Sequence, residues 1–184
     1  SPVKDLKFVA VTKRVRRRAL DADEVFALLR TTAKQRQRFG MSGVDRCILY
    51  IVAIKTGRRR RELASLRVRD FDFDEDRPYA WRTPAVRVGT DYCKSRVDAE
   101  QALRRTRAEQ LKAYFADRAP DELAFNMPHD THTARMLRAD LKAAGIEAKD
   151  AAGRVVVFHS LRHTLATALD QTGVSLKCRM DILR

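Results

Sequence analysis

Aromatic residues make up only 7% of this sequence, with a single tryptophan, and no motif suited to stacking on unpaired bases appears. A dedicated RNA-binding module is therefore disfavoured. The three cysteines, Cys47, Cys93 and Cys178, are odd in number and lack metal-ligand spacing. They read as reduced thiols in a cytoplasmic protein, not as a disulfide framework or a zinc site. No acidic cluster has ligand spacing either, which sets aside a metal-dependent nuclease, and no cofactor is called for. No apolar run approaches the roughly 20 residues of a membrane span. No signal peptide is visible, so no membrane partner is expected. Internal repeats and low-complexity tracts are also missing.

What is present in excess is positive charge. Lys and Arg total 38 against 24 Asp and Glu, a net charge of +14 over 184 residues. With 45% apolar residues the chain is globular and long enough for one domain with a proper core. Such an excess on a folded domain points to a polyanion, with nucleic acid ahead of an acidic membrane surface.

Read in order, Lys13, Arg14, Arg16, Arg17 and Arg18 form a basic arm, expected to lie on DNA phosphates. Asp21-Ala-Asp-Glu24 has the form of a helix start, followed by the apolar stripe Val25, Leu28 and Leu29. Ser42-Gly-Val-Asp45 starts a second helix, with Val44, Ile48, Ile51 and Val52 at helical spacing and Gly57 as its break. Four successive arginines, Arg58 to Arg61, then fan around a turn and cannot all meet one ligand. One or two turn inward, held by Glu62, and the others are solvated. Asp70–Leu103 alternates and is rich in β-branched residues, which predicts a small antiparallel sheet with Lys94 and Arg96 at or near a hairpin turn. Helices are expected over Arg104–Phe115, with Leu111 and Phe115 inward, over Thr131–Ala144, closed by Gly145, and from Ser175 onward.

The densest stretch is Val155–Thr167. Three valines and Phe158 lead into His159, and Leu161, Leu165, Ala168 and Leu169 continue as an amphipathic helix up to Gly173. A helix opening at His159 or Ser160 puts His159 and Arg162 on one face of its first turn. Free N–H groups and the positive dipole end are expected there too, so an anion is the natural guest.

Together these pieces resemble the catalytic domain of the tyrosine recombinase (phage integrase) family. Thr56-Gly57, Arg59, Glu62-Leu63 and Leu66 look like its first-arginine motif, and His159-Ser-Leu-Arg162-His-Thr is similar to its second box. The resemblance implies a mainly helical α+β fold with a small antiparallel sheet, duplex DNA as partner, and phosphodiester transesterification through a 3′-phosphotyrosine. It implies that Arg59 and Arg162 bind the phosphate oxygens and that Lys94 protonates the leaving oxygen. His159 orients or deprotonates the nucleophile, and Glu62 fixes Arg59. Two guanidiniums suit charge building on two oxygens, since arginine offers bidentate donors and keeps its proton. His163 is expected to be a core or structural residue. Arg58, Arg60 and Arg96 are assigned to DNA.

Arg58, Arg61, Glu100 and Ala102 depart from the family pattern, which favours an apolar residue, Gly or Ser, an apolar residue and Pro there. A larger departure is that Tyr50, Tyr79, Tyr92 and Tyr114 all precede the His159 box, and none stands where the nucleophile belongs. The expectation is a basic linker over 1–18 and a catalytic domain over 19–184. That domain lacks its last segment and is inactive in strand cleavage. Self-association on DNA is expected to use that segment in the parent protein. The alternative is a non-catalytic DNA-binding protein, or a decayed recombinase, on the same fold.

Overall fold

The computed structural model describes residues 16–73, 84–89 and 99–183. Helix α1, Ala22–Ala33, starts at a reciprocal cap: the Glu24 N–H donates to Asp21 Oδ1 at 2.8 Å and the Asp21 N–H to Glu24 Oε2 at 3.1 Å. Helix α2, Gly43–Thr56, repeats the device with Ser42 and Asp45 at 3.1 and 3.0 Å. It ends at Gly57 in the left-handed region, φ 62°. A six-residue helix α3, Arg60–Ser65, follows directly, then a 3-10 turn at Val68–Asp70. Strands β1 (Phe71–Asp72), β2 (Ala85–Val88) and β3 (Ala99–Ala102) pair antiparallel in that order. Helices α4 (Arg105–Phe115), α5 (Asp130–Ala143), α6 (Ser160–Gln171) and α7 (Leu176–Ile182) complete the described chain. This is the mainly helical α+β architecture that the sequence implied.

Helix α2 is the axis of the core. From Leu49 to Ile54 every side chain is buried, so the helix is apolar all round where a surface helix would carry one stripe. Helices α1 and α6 pack along it. It emerges at Lys55 near its end and in its first turn, where Val44 is 51% exposed although its spacing had placed it inward. Gly43 is required there: a Cβ would stand 2.5 Å from Thr32 O and 2.4 Å from Gln35 O, at the end of α1. On the α5 side the contact is ionic. Arg46 and Asp140, both fully buried, meet through Nε–Oδ2 at 2.8 Å and Nη2–Oδ1 at 3.1 Å, and the Tyr50 hydroxyl donates to Asp140 Oδ2 at 2.8 Å. Leu111 and Phe115 of α4 point inward, and Ala168 of α6 stays exposed.

The sheet accounts for one of the unusual residues. In the register Arg87 faces Glu100, and its Nε donates to that carboxylate at 2.9 Å while Nη2 donates to Asp72 at 2.7 Å. Glu100 thus sits in a cross-strand charge ladder, not in the apolar face the family pattern prefers. Lys13, Arg14, Lys94 and Arg96 lie outside the described residues.

Candidate active site

The site forms where α2 ends. Gly57 turns the chain, and its positive φ combines with tight packing: a Cβ there would be 3.0 Å from both Leu165 Cδ2 of α6 and Leu183 Cδ2 after α7. The backbone therefore approaches the last two helices closely, and its carbonyl accepts a hydrogen bond from Arg162 Nη1. Arg59 comes next, at the N-cap of α3. Glu62, 1% exposed, takes both its backbone N–H and its Nη1, each at 2.8 Å. One carboxylate so fixes the backbone and the head group of Arg59, whose side chain remains 35% exposed and open to a ligand.

The four arginines divide as a helical turn dictates. Arg58 is 6% exposed and donates from Nη2 to Val86 O at 3.3 Å. It fills its usually apolar position by burying its stem and pinning the turn to β2. Arg60 reaches α5: it pairs with Asp130 at 2.5 Å and donates to Thr133 Oγ1 and Pro128 O. Arg61 is exposed. Both Arg58 and Arg60, which the sequence assigned to DNA, thus make bonds within the protein. Arg18 is engaged in the same way: it grips Glu24 with two bonds of 2.7 and 2.8 Å and donates to Glu147 O. Arg16 and Arg17 stay exposed, with no carboxylate partner among the described residues.

Helix α6 delivers the other half. Its first turn is not the bare N-terminus that the sequence suggested. The Ser160 N–H donates to Val157 O at 2.7 Å, Leu161 to Phe158 O at 3.2 Å and Arg162 to His159 O at 3.1 Å. A 3-10 turn has already satisfied these donors, so the positive potential comes from side chains. His163 is not a core residue. It is exposed and meets His159 edge-on, with ring centroids 5.0 Å apart at 84°.

Proton affinities report the crowding of cations. Burial and then Arg59 draw Arg162 below its ordinary value, Glu62 opposing. Burial, then His163, Arg17, Arg162 and Arg59, push His159 below 6.5. His159 is therefore a neutral imidazole near pH 7, able to accept a proton or a hydrogen bond. The structure thus brings Arg59, Glu62, His159 and Arg162 into one electrostatic neighbourhood, from two separate segments of the chain. Sequence reasoning placed Arg17 only on a general basic arm and missed its closeness to this pair; no periodicity signals it. It also missed the run of Arg135, Arg138 and Lys142, exposed along α5 without a carboxylate partner among the described residues. Their spacing of three and four residues was the available signal. No group of acidic, histidine or cysteine side chains suited to a metal occurs among the described residues.

The fold recurs in known recombinases. The crystal structure of XerA recombinase superposes with a TM-score of 0.66 at 24% identity, over 91% of this chain and 55% of that one. A lambda integrase dimer bound to a COC′ core site gives 0.67 at 19%, over 96% and 60%. The catalytic domain of bacteriophage HP1 integrase gives 0.60 at 16%, over 91% and 80%. Identities this low speak for the fold alone, and the chain spans about half the length of the XerA recombinase. No curated protein sequence matches significantly. The sequence profile of the phage integrase family, however, matches residues 18–183, a span that contains the Arg59 turn and the His159 box. The chain is a member of the phage integrase family, the tyrosine recombinases.

Proposed function

We propose that this chain is the catalytic-domain portion of a site-specific DNA recombinase, and that its pocket holds the scissile phosphodiester of duplex DNA. The observation that carries this reading is the meeting of Arg59 and Arg162 at the Gly57 turn, one held by Glu62 and the other by the Gly57 carbonyl. Attack on phosphorus builds charge on two non-bridging oxygens. Two fixed guanidiniums in a half-buried site stabilise that charge without reorganising. His159, neutral at physiological pH, takes the proton of the attacking phenol or hydrogen-bonds the phosphate. As the phosphorus–oxygen bond to tyrosine forms, the bond to the 5′-oxygen breaks, and Lys94 returns a proton to that oxygen. The products are a 3′-phosphotyrosyl linkage and a free 5′-hydroxyl.

The attacking tyrosine is none of the four in this sequence. The Tyr50 hydroxyl is buried against Asp140, and that of Tyr114 donates to Asp45 at 2.6 Å. Burial and then the carboxylate push both phenols well above their ordinary value, the opposite of activation. These 184 residues therefore bind DNA without cleaving it. Self-association on DNA has an apolar surface on α7, where Leu176 and Met180 are 65% and 62% exposed.

The test uses nicked duplexes that trap the covalent intermediate. The 184-residue chain should shift the DNA on native gels and leave no adduct on denaturing ones. An adduct mapping to Tyr50, Tyr79, Tyr92 or Tyr114 would overturn the nucleophile assignment. The engagement of both described tyrosines also suits a second reading, a DNA-binding protein that uses this fold without chemistry. Joining a tyrosine-bearing segment after α7 separates the two: adducts appear under the first reading and not under the second.

A further inference from the structure

The segment before α1 is bonded to the segment that leads into His159. The Val155 N–H donates to Arg16 O at 2.9 Å, the Arg18 N–H to Val155 O at 3.1 Å, and the Leu20 N–H to Thr164 Oγ1 of α6 at 3.0 Å. Arg17 and Val155 form a parallel bridge, with Lys149 paired antiparallel on the other side of Val155. The Arg18 grip on Glu24 and Glu147 locks the register. Arg17 is thus held beside Val155, four residues before His159, by the backbone bonds of Arg16 and Arg18, not left on a loose arm. With His163 it lines one groove of about 1080 Å³. The acids of that groove are engaged: Glu24 with Arg18, Asp150 with Arg154, and Asp21 in the cap of α1.

We propose that Arg17 is a positioning residue of the phosphate pocket, acting through the edge-on pair His163 and His159 from its fixed place on the Val155 ladder. The proposal rests on the phosphodiester reading given above. Electrostatics supports it. Arg17 depresses the proton affinity of both histidines, second only to burial for His163 and after burial and His163 for His159. The other charges facing the pair are Arg162 for both and Arg59 for His159, while Lys55, Arg18 and Arg154 also line the groove. Because Arg17 has no carboxylate partner among the described residues, its charge acts on the pair unneutralised. It keeps His159 a proton acceptor while the pocket is empty. An arriving phosphodiester offsets the cations and raises the affinity of His159 for the proton it must hold.

The experiment follows the ring proton signals of His159 and His163 through a pH titration of the 184-residue chain, alongside duplex binding. Arg17→Gln should move both midpoints up toward 6.5, by about 0.3–1 in pH, and weaken binding about threefold to tenfold. Arg17→Lys, which keeps the charge, should titrate and bind like the parent. Lys149→Gln removes a cation from the opposite side of the same ladder and should leave both midpoints unchanged. Midpoints in Arg17→Gln equal to those of the parent would overturn the role of Arg17, and so would an equal rise in Lys149→Gln. The underlying reading is judged separately. If Arg59→Gln and Arg162→Gln bind duplex like the parent, the phosphate pocket itself is wrong, whatever Arg17 does.

Discussion

Replacing Asp140 with alanine tests what holds the core around α2. Arg46 and Asp140 are both fully buried, and the same carboxylate also accepts the Tyr50 hydroxyl. Asp140→Ala leaves the guanidinium, among the described residues, with only the carbonyls of Met41 and Arg36, at 2.8 and 3.2 Å. Removing one partner of such a pair costs about 3–5 kcal/mol, because the remaining charge stays buried. The orphaned phenol adds about 1 kcal/mol or more, though the two losses share one carboxylate and do not simply add. Against a total stability of roughly 5–15 kcal/mol this is a large share. At about 2–4 °C per kcal/mol for a chain of this size, the melting temperature should fall by roughly 6–20 °C. Urea unfolding followed by far-UV circular dichroism reads the loss directly. Replacing the whole network, as Arg46→Met with Asp140→Leu and Tyr50→Phe, should recover most of it, since no buried polar group is then left unpaired. An Asp140→Ala variant within about 1 kcal/mol of the parent would refute the reasoning.

Other perturbations have equally definite outcomes. Gly57→Ala meets a left-handed backbone, about 1–2 kcal/mol for an L-residue, and two side-chain contacts at 3.0 Å. It should lower the urea midpoint and weaken duplex binding together, because the Gly57 carbonyl positions Arg162. His159 and His163 have folded proton affinities below 6.5, so the unfolded chain binds more protons as the pH falls. Their contribution is fully present above about 6.5 and is lost as pH falls through the folded values; unfolding at pH 7.5 and 5.5 should show this drop, reduced in His159→Gln with His163→Gln. Duplex binding should take up protons on the acid side of neutrality, seen as buffer-dependent heats in calorimetry, and uptake unchanged in His159→Gln would count against His159 in the pocket.

How much of this was legible in the sequence depended on whether the signal was local. The caps at Asp21 and Ser42, the stop at Gly57 and the start of α6 next to His159 are local chemistry, and each lies where the residues placed it. Arg59 was separable from its neighbours only by the motif, since four adjacent arginines look alike until a turn assigns one to the sheet, one to Glu62 and one to Asp130. Partners distant in sequence left no trace. Asp140 reads as an ordinary polar residue on α5, yet it lies 94 residues from its partner Arg46 and is fully buried. The same holds for Arg17, whose neighbour Val155 is joined to it by backbone bonds that no side-chain pattern encodes. The free N–H groups expected at α6 failed for a related reason: the approach through Val157 and Phe158 decides whether a helix end is bare.

The claim that the Arg59–Arg162 pocket grips a DNA phosphate is tested most directly by the salt dependence of duplex binding. Fluorescence anisotropy of a labelled duplex, titrated at several salt concentrations, gives the slope of log affinity against log salt. Each phosphate contact contributes about −0.9 to that slope. Arg59→Gln and Arg162→Gln should each weaken binding at low salt and make the slope shallower by about one contact. Arg61→Gln, an exposed neighbour outside the pocket, serves as the comparison. If Arg59→Gln and Arg162→Gln keep the parental slope and affinity, or lose no more than Arg61→Gln, the pocket does not hold the phosphate.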